Sequence, residues 1–86
     1  MKVYIYSIKV LNKISGKITP ITAVSEAEGI ATYLALEIKE ALWGSCGTVI
    51  ESKTEYIETN YPYSEGICAT LPSEVVKEVL RDGPNQ

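Results

Sequence analysis

Two thiols, a spaced set of carboxylates and a group of tyrosines near lysines are the side chains here whose types could do chemistry. Cys46 and Cys68 are the only cysteines, and the chain contains no histidine. Two thiols without an imidazole cannot complete a tetrahedral zinc site unless carboxylates or a second subunit add ligands. Their spacing fits no Cys-x-x-Cys redox motif. They read as two buried free thiols, with one internal disulfide as the alternative. Nucleophilic catalysis needs a Cys, Ser or Thr beside a base, and no histidine can activate either thiol. Glu51, Glu55 and Glu58 fall at solvent-type positions of a predicted strand and read as a solvated face. Gly44-Ser45-Cys46-Gly47 lacks the following helix and the lysine of a phosphate-binding loop. These residues lead us to expect no enzyme, no metal and no cofactor.

Two surface patterns point toward binding. On a helix predicted through residues 26–43, Leu36 and Trp43 fall about 200° and 180° from Leu34, opposite the apolar stripe. Trp43 is the only tryptophan, and aromatics are enriched at interface hot spots, so Leu36 and Trp43 are candidate partner-binding residues. Tyr61 and Tyr63 flank Pro62 in a predicted loop and join that set, because tyrosine offers large contact area at small entropic cost. The second pattern is Tyr4 and Tyr6 on one strand face near Lys2, Lys9, Lys13 and Lys17. Tyrosines on an open sheet beside lysines can stack bases, as single-strand binders do. These six are the candidate nucleic-acid-binding residues.

Charge separates along the chain. Eight Lys and Arg against eleven Asp and Glu give a net charge of −3. Lys2, Lys9, Lys13 and Lys17 stand in residues 1–17 with no acid, and the remaining four basic residues share residues 18–86 with all eleven acids. The net acidity argues against a general nucleic-acid or membrane-surface binder. The asymmetry instead suits a molecule that recognises an anionic partner, or a copy of itself. Neither a membrane span nor a secretory signal is recognisable, so a cytoplasmic location is expected. A single glutamine among many Ile, Tyr, Glu and Lys suggests a thermophilic source.

The elements that must position these residues follow from pattern. The stretch from Lys2 to Leu11 is rich in β-branched and aromatic residues and predicts a long strand. Neither of its faces is cleanly polar, which suits a central strand or one whose second face is covered. Ser15-Gly16 is a turn, and Ile18–Val24 is the return strand. Pro20 cannot donate a ladder hydrogen bond, so it predicts a sheet edge or a bulge there. Ser25-Glu26-Ala27-Glu28 has the spacing of a capping box. It opens a helix that runs to about Trp43, with Gly44 as its C-cap. Ala27, Ile30, Ala31, Leu34, Ile38, Ala41 and Leu42 form its expected core stripe. A strand over Thr48–Thr59, a short strand over Ile67–Leu71 and a second helix, started by Pro72-Ser73-Glu74 and stopped by Gly83-Pro84, follow.

With 86 residues there is room for one small domain, 1–86. The predicted class is α+β, in the order ββαββα. A four-stranded, mainly antiparallel sheet carries both helices on one face. Hairpin, helix, hairpin resembles the β-grasp arrangement, although other two-layer sandwiches share that order. The expected function is a small non-catalytic interaction or regulatory protein that binds a protein partner as a homodimer. Contact would run through the helix back or by edge-to-edge strand pairing. The alternative is a sheet-based nucleic-acid binder built on the basic N-terminal hairpin.

Overall fold

The apolar N-terminal stretch forms β1 (Lys2–Asn12) and, after a tight turn, β2 (Ile18–Ser25). The Asn12 side-chain oxygen accepts from the backbone N–H of Ile14 at 2.9 Å and of Ser15 at 3.3 Å. Gly16 supplies the positive φ, 77°, that closes this turn. Next come α1 (Glu28–Trp43), a 3-10 turn (Gly44–Cys46), β3 (Gly47–Glu58), β4 (Ile67–Ala69) and α2 (Ser73–Asp82). The computed structural model describes residues 2–58 and 67–82.

The molecule is a small α+β domain with an antiparallel sheet and two helices. Three long strands lie in the order β3-β1-β2, and the three residues of β4 extend the outer side of β2. The expected second hairpin does not form, since β3 and β4 occupy opposite edges. The hairpin-helix-hairpin arrangement is therefore not reproduced. Pro20 pairs with Lys9 on one side, and β4 reaches only as far as Thr22, so β2 is an edge where the proline sits.

The two helices cover opposite faces of the sheet, not one, and β1 shows why. Its pairing with β2 runs without interruption from Tyr4↔Ser25 to Leu11↔Ile18. Side chains alternate strictly along such a ladder. Val3 and Ile5 point to one face, where they pack with Val24 of β2 and with Val76 and Leu80 of α2. Ile8 and Val10 point to the other, where they meet Ile21, Ala23 and the α1 residues Ala31 and Ala35. The apolar residues of β1 thus switch parity between Ile5 and Ile8. Two small cores result, one on each side of the sheet, and the strand that looked apolar on both faces is covered on both.

Helix α1 begins later, and is rotated further, than its sequence pattern predicts. Ser25 remains the last residue of β2, buried and paired with Tyr4. Its hydroxyl accepts from the N–H of Ala27 at 3.2 Å, and the helix N-cap is Ala27, without a side-chain cap. The capping box is lost because its serine is held by the sheet. Ala31 and Ala35 are the fully buried residues of α1, flanked by half-buried Leu34, Ile38 and Trp43. Small alanines let the helix backbone approach a sheet whose Ile8, Val10 and Ile21 already supply the bulk. The buried side is therefore centred on the alanines, leaving Ile30, assigned to the core by its spacing, largely exposed. Leu42, assigned there too, is also largely exposed, in the last turn of the helix, although it falls within about 20° of Ala35.

Candidate interaction surfaces

Strand β3 owes its position to the end of α1. Gly44 takes φ 55° and its N–H donates to the Glu40 carbonyl. The Lys39 ammonium, drawn inward, donates to the Gly44 carbonyl at 3.1 Å. The 3-10 turn then delivers Gly47 opposite Asn12, and the Lys13 N–H donates to the Cys46 carbonyl at 2.8 Å. From there β3 pairs with β1 as far as Lys2↔Glu58. One irregularity interrupts the ladder: Glu51 opposes Lys9 but Val49 opposes Val10, so Ile50 is the extra residue of a bulge. From Glu51 to Glu58 the pairing is regular. The outer side of β3 is a sheet edge, and most of its residues are exposed.

The two faces of β3 differ in chemistry. Glu51, Lys53, Glu55 and Ile57 share the face of Val3 and Ile5, by their pairing with alternate β1 residues. Lys9 approaches Glu51 at 3.5 Å and Lys53 approaches Glu55 at 3.5 Å. The Lys77 ammonium of α2 donates to both Glu55 carboxylate oxygens, at 2.9 and 3.1 Å. That bond holds the Glu55 carboxyl below its ordinary value of 4.5, against the opposing effect of burial. The other face carries Ser52, Thr54 and Tyr56. There the Tyr56 ring lies 6.1 Å from that of Tyr4, and the Lys2 ammonium sits 4.5 Å above it.

The outer side of α1 is a second surface. Ile30 is 50% exposed, Tyr33 59% and Leu36 39%. They stand three residues apart within about 120° of the helix circumference. Glu37 and Glu40 are exposed on the same side. A helix that is apolar around most of its circumference normally has both sides covered. Here the sheet covers one.

The structure divides the residues singled out from the sequence. Leu36 is on the open side of α1. Trp43 is not: it packs against the α1-side core, its side chain closing over Gly47. Leu36 and Trp43 therefore form no common patch. They point the same way on an ideal helix, but Trp43 is the last residue of α1, where the backbone leaves helical geometry (φ −129°, ψ −20°) and the side chain turns onto the core. Tyr61 and Tyr63 lie outside the described residues. The six hairpin residues do not share a surface either. Lys2, Tyr4 and Tyr6 lie on the α1 face, Tyr6 half-buried against the α1 core, whereas Lys9 lies on the opposite face beside Glu51. Lys13 and Lys17 are exposed at the hairpin tip, next to Ile14 at 81% exposure.

Sequence reasoning overlooked the Glu55–Lys77 bond, the Tyr4–Tyr56 contact and the exposure of Ile30 and Tyr33. The first two join residues far apart in the chain and carry no local signal. The third had one, since Ala31 and Ala35 stand four apart as a small-residue seam suited to close packing. Cys46 is a half-buried free thiol, and the Cys68 side chain lies outside the described residues. Among the described residues no three His, Cys, Asp or Glu side chains gather into a metal-binding group, and no helix is long and apolar enough to cross a membrane. A shallow depression beside the start of α2 is lined by Ser7, Lys9, Thr22, Glu51, Lys53 and Ser73. The Thr22 hydroxyl there donates to the Leu71 carbonyl at 2.7 Å, which ties the α2 approach to the sheet. No family model, curated protein or solved structure matches this chain.

Proposed function

We propose that this chain is a small, non-catalytic interaction protein of the cytoplasm that binds a protein partner and acts as a homodimer. The observation that carries the reading is α1, whose Ile30, Tyr33 and Leu36 remain exposed on the side away from the sheet. Removing such a surface from water is worth about 25 cal/mol per Å² of apolar area. Glu37 and Glu40 border it, so the complementary surface is apolar with a basic rim. A chain without histidine, with the carboxylates of its described residues exposed or paired with lysine, offers little for acid–base catalysis. The nucleic-acid alternative is weaker, since the lysines and tyrosines it needs are split between two faces and Lys9 faces a glutamate.

The test combines the mass of the purified chain with capture of bound protein, comparing the wild type with a Tyr33→Lys/Leu36→Lys variant of unchanged melting temperature. A dimer whose bound protein is lost in the variant is the expected result. A monomer that captures the same proteins before and after the substitutions would overturn the reading.

A further inference from the structure

We infer that the second copy pairs along β3, antiparallel and centred on Thr54, so that two sheets join edge to edge. The inference rests on the homodimer reading above and gives it a surface and a register. Two identical antiparallel strands in one sheet are related by a twofold axis perpendicular to it, as in closed isologous dimers. That axis keeps each side chain on its own face, so it must pass through a residue pair of one kind. The regular stretch from Glu51 to Glu58 offers few such centres.

Charge, the bulge and the length in register decide among them. A centre at Lys53 opposes two lysines and sets Glu51 against Glu55, and a centre at Glu55 opposes two glutamates. Like charges directly opposite destabilise a strand pair. A centre at Ser52 matches Glu51 with Lys53 but carries the Ile50 bulge into the ladder against Thr54. A centre at Tyr56 leaves only a few residues in register.

Centred on Thr54, the pairs are Thr54 with Thr54, Lys53 with Glu55, Ser52 with Tyr56 and Glu51 with Ile57. All lie in the regular stretch. Each Lys53 then faces a Glu55 that Lys77 already orients from within its own chain. Edge strands are commonly protected by charge. Here the alternating signs of Glu51, Lys53 and Glu55 disfavour the two registers centred on a charged residue, while the Ile50 bulge and the strand length disfavour the other two. The axis also places both α1 helices on the same side of the joined sheet, so the two apolar outer faces remain open to a partner.

Two reversed-charge variants test the register. Lys53→Glu alone and Glu55→Lys alone each place like charges opposite one another twice, and each homodimer weakens by roughly 30-fold. Mixed in equal amounts, the two variants restore opposite charges at both contacts, and sedimentation detects a one-to-one heterodimer. A wild-type chain that stays monomeric at high concentration overturns both the homodimer and this register. A wild-type dimer that ignores both substitutions, or variants that fail to recover on mixing, overturns the β3 register and leaves the homodimer standing. As a second readout, Thr54→Cys in a Cys46→Ser/Cys68→Ser background forms a disulfide-linked dimer on oxidation, because directly opposed residues lie within bridging distance. Thr48→Cys in that background, outside the paired stretch, does not. Equal linkage of the two variants would overturn the register.

Discussion

Strands β1 and β3 are nearly equal in length and pair with each other along most of it, yet they live in different solvents. β1 has a neighbouring strand on each side and a helix on each face, and Val3, Ile5, Ile8 and Val10 are all buried. Among the described residues β3 has one neighbouring strand, and most of its side chains reach water. Both sequences mix apolar and charged residues, so composition alone does not separate them. The difference is one of place in the sheet. A central strand is covered because elements added on either side must cross it, whereas an edge strand is covered only if something is built for that purpose. In β3 most of the apolar residues and most of the charged residues reach water.

The sharpest test of this contrast is a matched pair of truncations. Ile5→Ala removes a fully buried side chain from the α2-side core and is expected to cost about 2–5 kcal/mol in urea unfolding. Ile50→Ala, at the exposed bulge of β3, should stay within about 0.5 kcal/mol of wild type. Equal losses would break the comparison.

Gly47 is the exception that refines it, being the buried residue of β3. A Cβ there would stand 2.8 Å from the Trp43 Cβ and 3.0 Å from the Val10 Cγ1. Gly47→Ala should therefore behave as a core substitution and cost about 1–3 kcal/mol. Unfolding free energy equal to wild type would show that α1 and β3 meet less tightly than this.

Smaller effects are expected farther along β3. Tyr56→Ala gives up the Tyr4 ring contact and the Lys2 ammonium above it, worth about 1 kcal/mol at an exposed site. High salt should narrow that loss by screening the Lys2 contribution.

The smallest effect depends on pH. The folded-state pKa of Glu55 is lowered by its hydrogen bond from Lys77. The carboxylate's contribution is therefore present above the unfolded-state value, near 4.5, and is lost as pH falls through the lower folded-state value. Glu55→Gln should be less stable than wild type at neutral pH, and the gap should close in acid. A gap constant with pH would mean that the carboxylate charge contributes nothing.

Much of the local structure was legible in the sequence. Lys2–Leu11 read as a strand because β-branched and aromatic residues crowd it, and its lack of a polar face announced burial on both sides. Gly16 and Gly44 marked a turn and a helix end because each needs a positive φ, which side chains disfavour. Pro20 foretold a strand open on one side. Trp43 was misplaced because helical angles stop applying at the last residue of a helix, where its side chain turns onto the core and over Gly47.

What the sequence determined by itself, then, was the α+β class and the kind of its longer elements, since turn chemistry and apolar periodicity act over a few residues. The placement of β3 and β4 at opposite edges, the assignment of one helix to each face, and the rotation of α1 onto Ala31 and Ala35 came only with the tertiary structure. Each was decided by packing between residues distant in the chain, where small side chains admit close approach and large ones fill the space that remains. The candidate surfaces follow from those decisions, because a residue becomes a contact only when the fold leaves it uncovered.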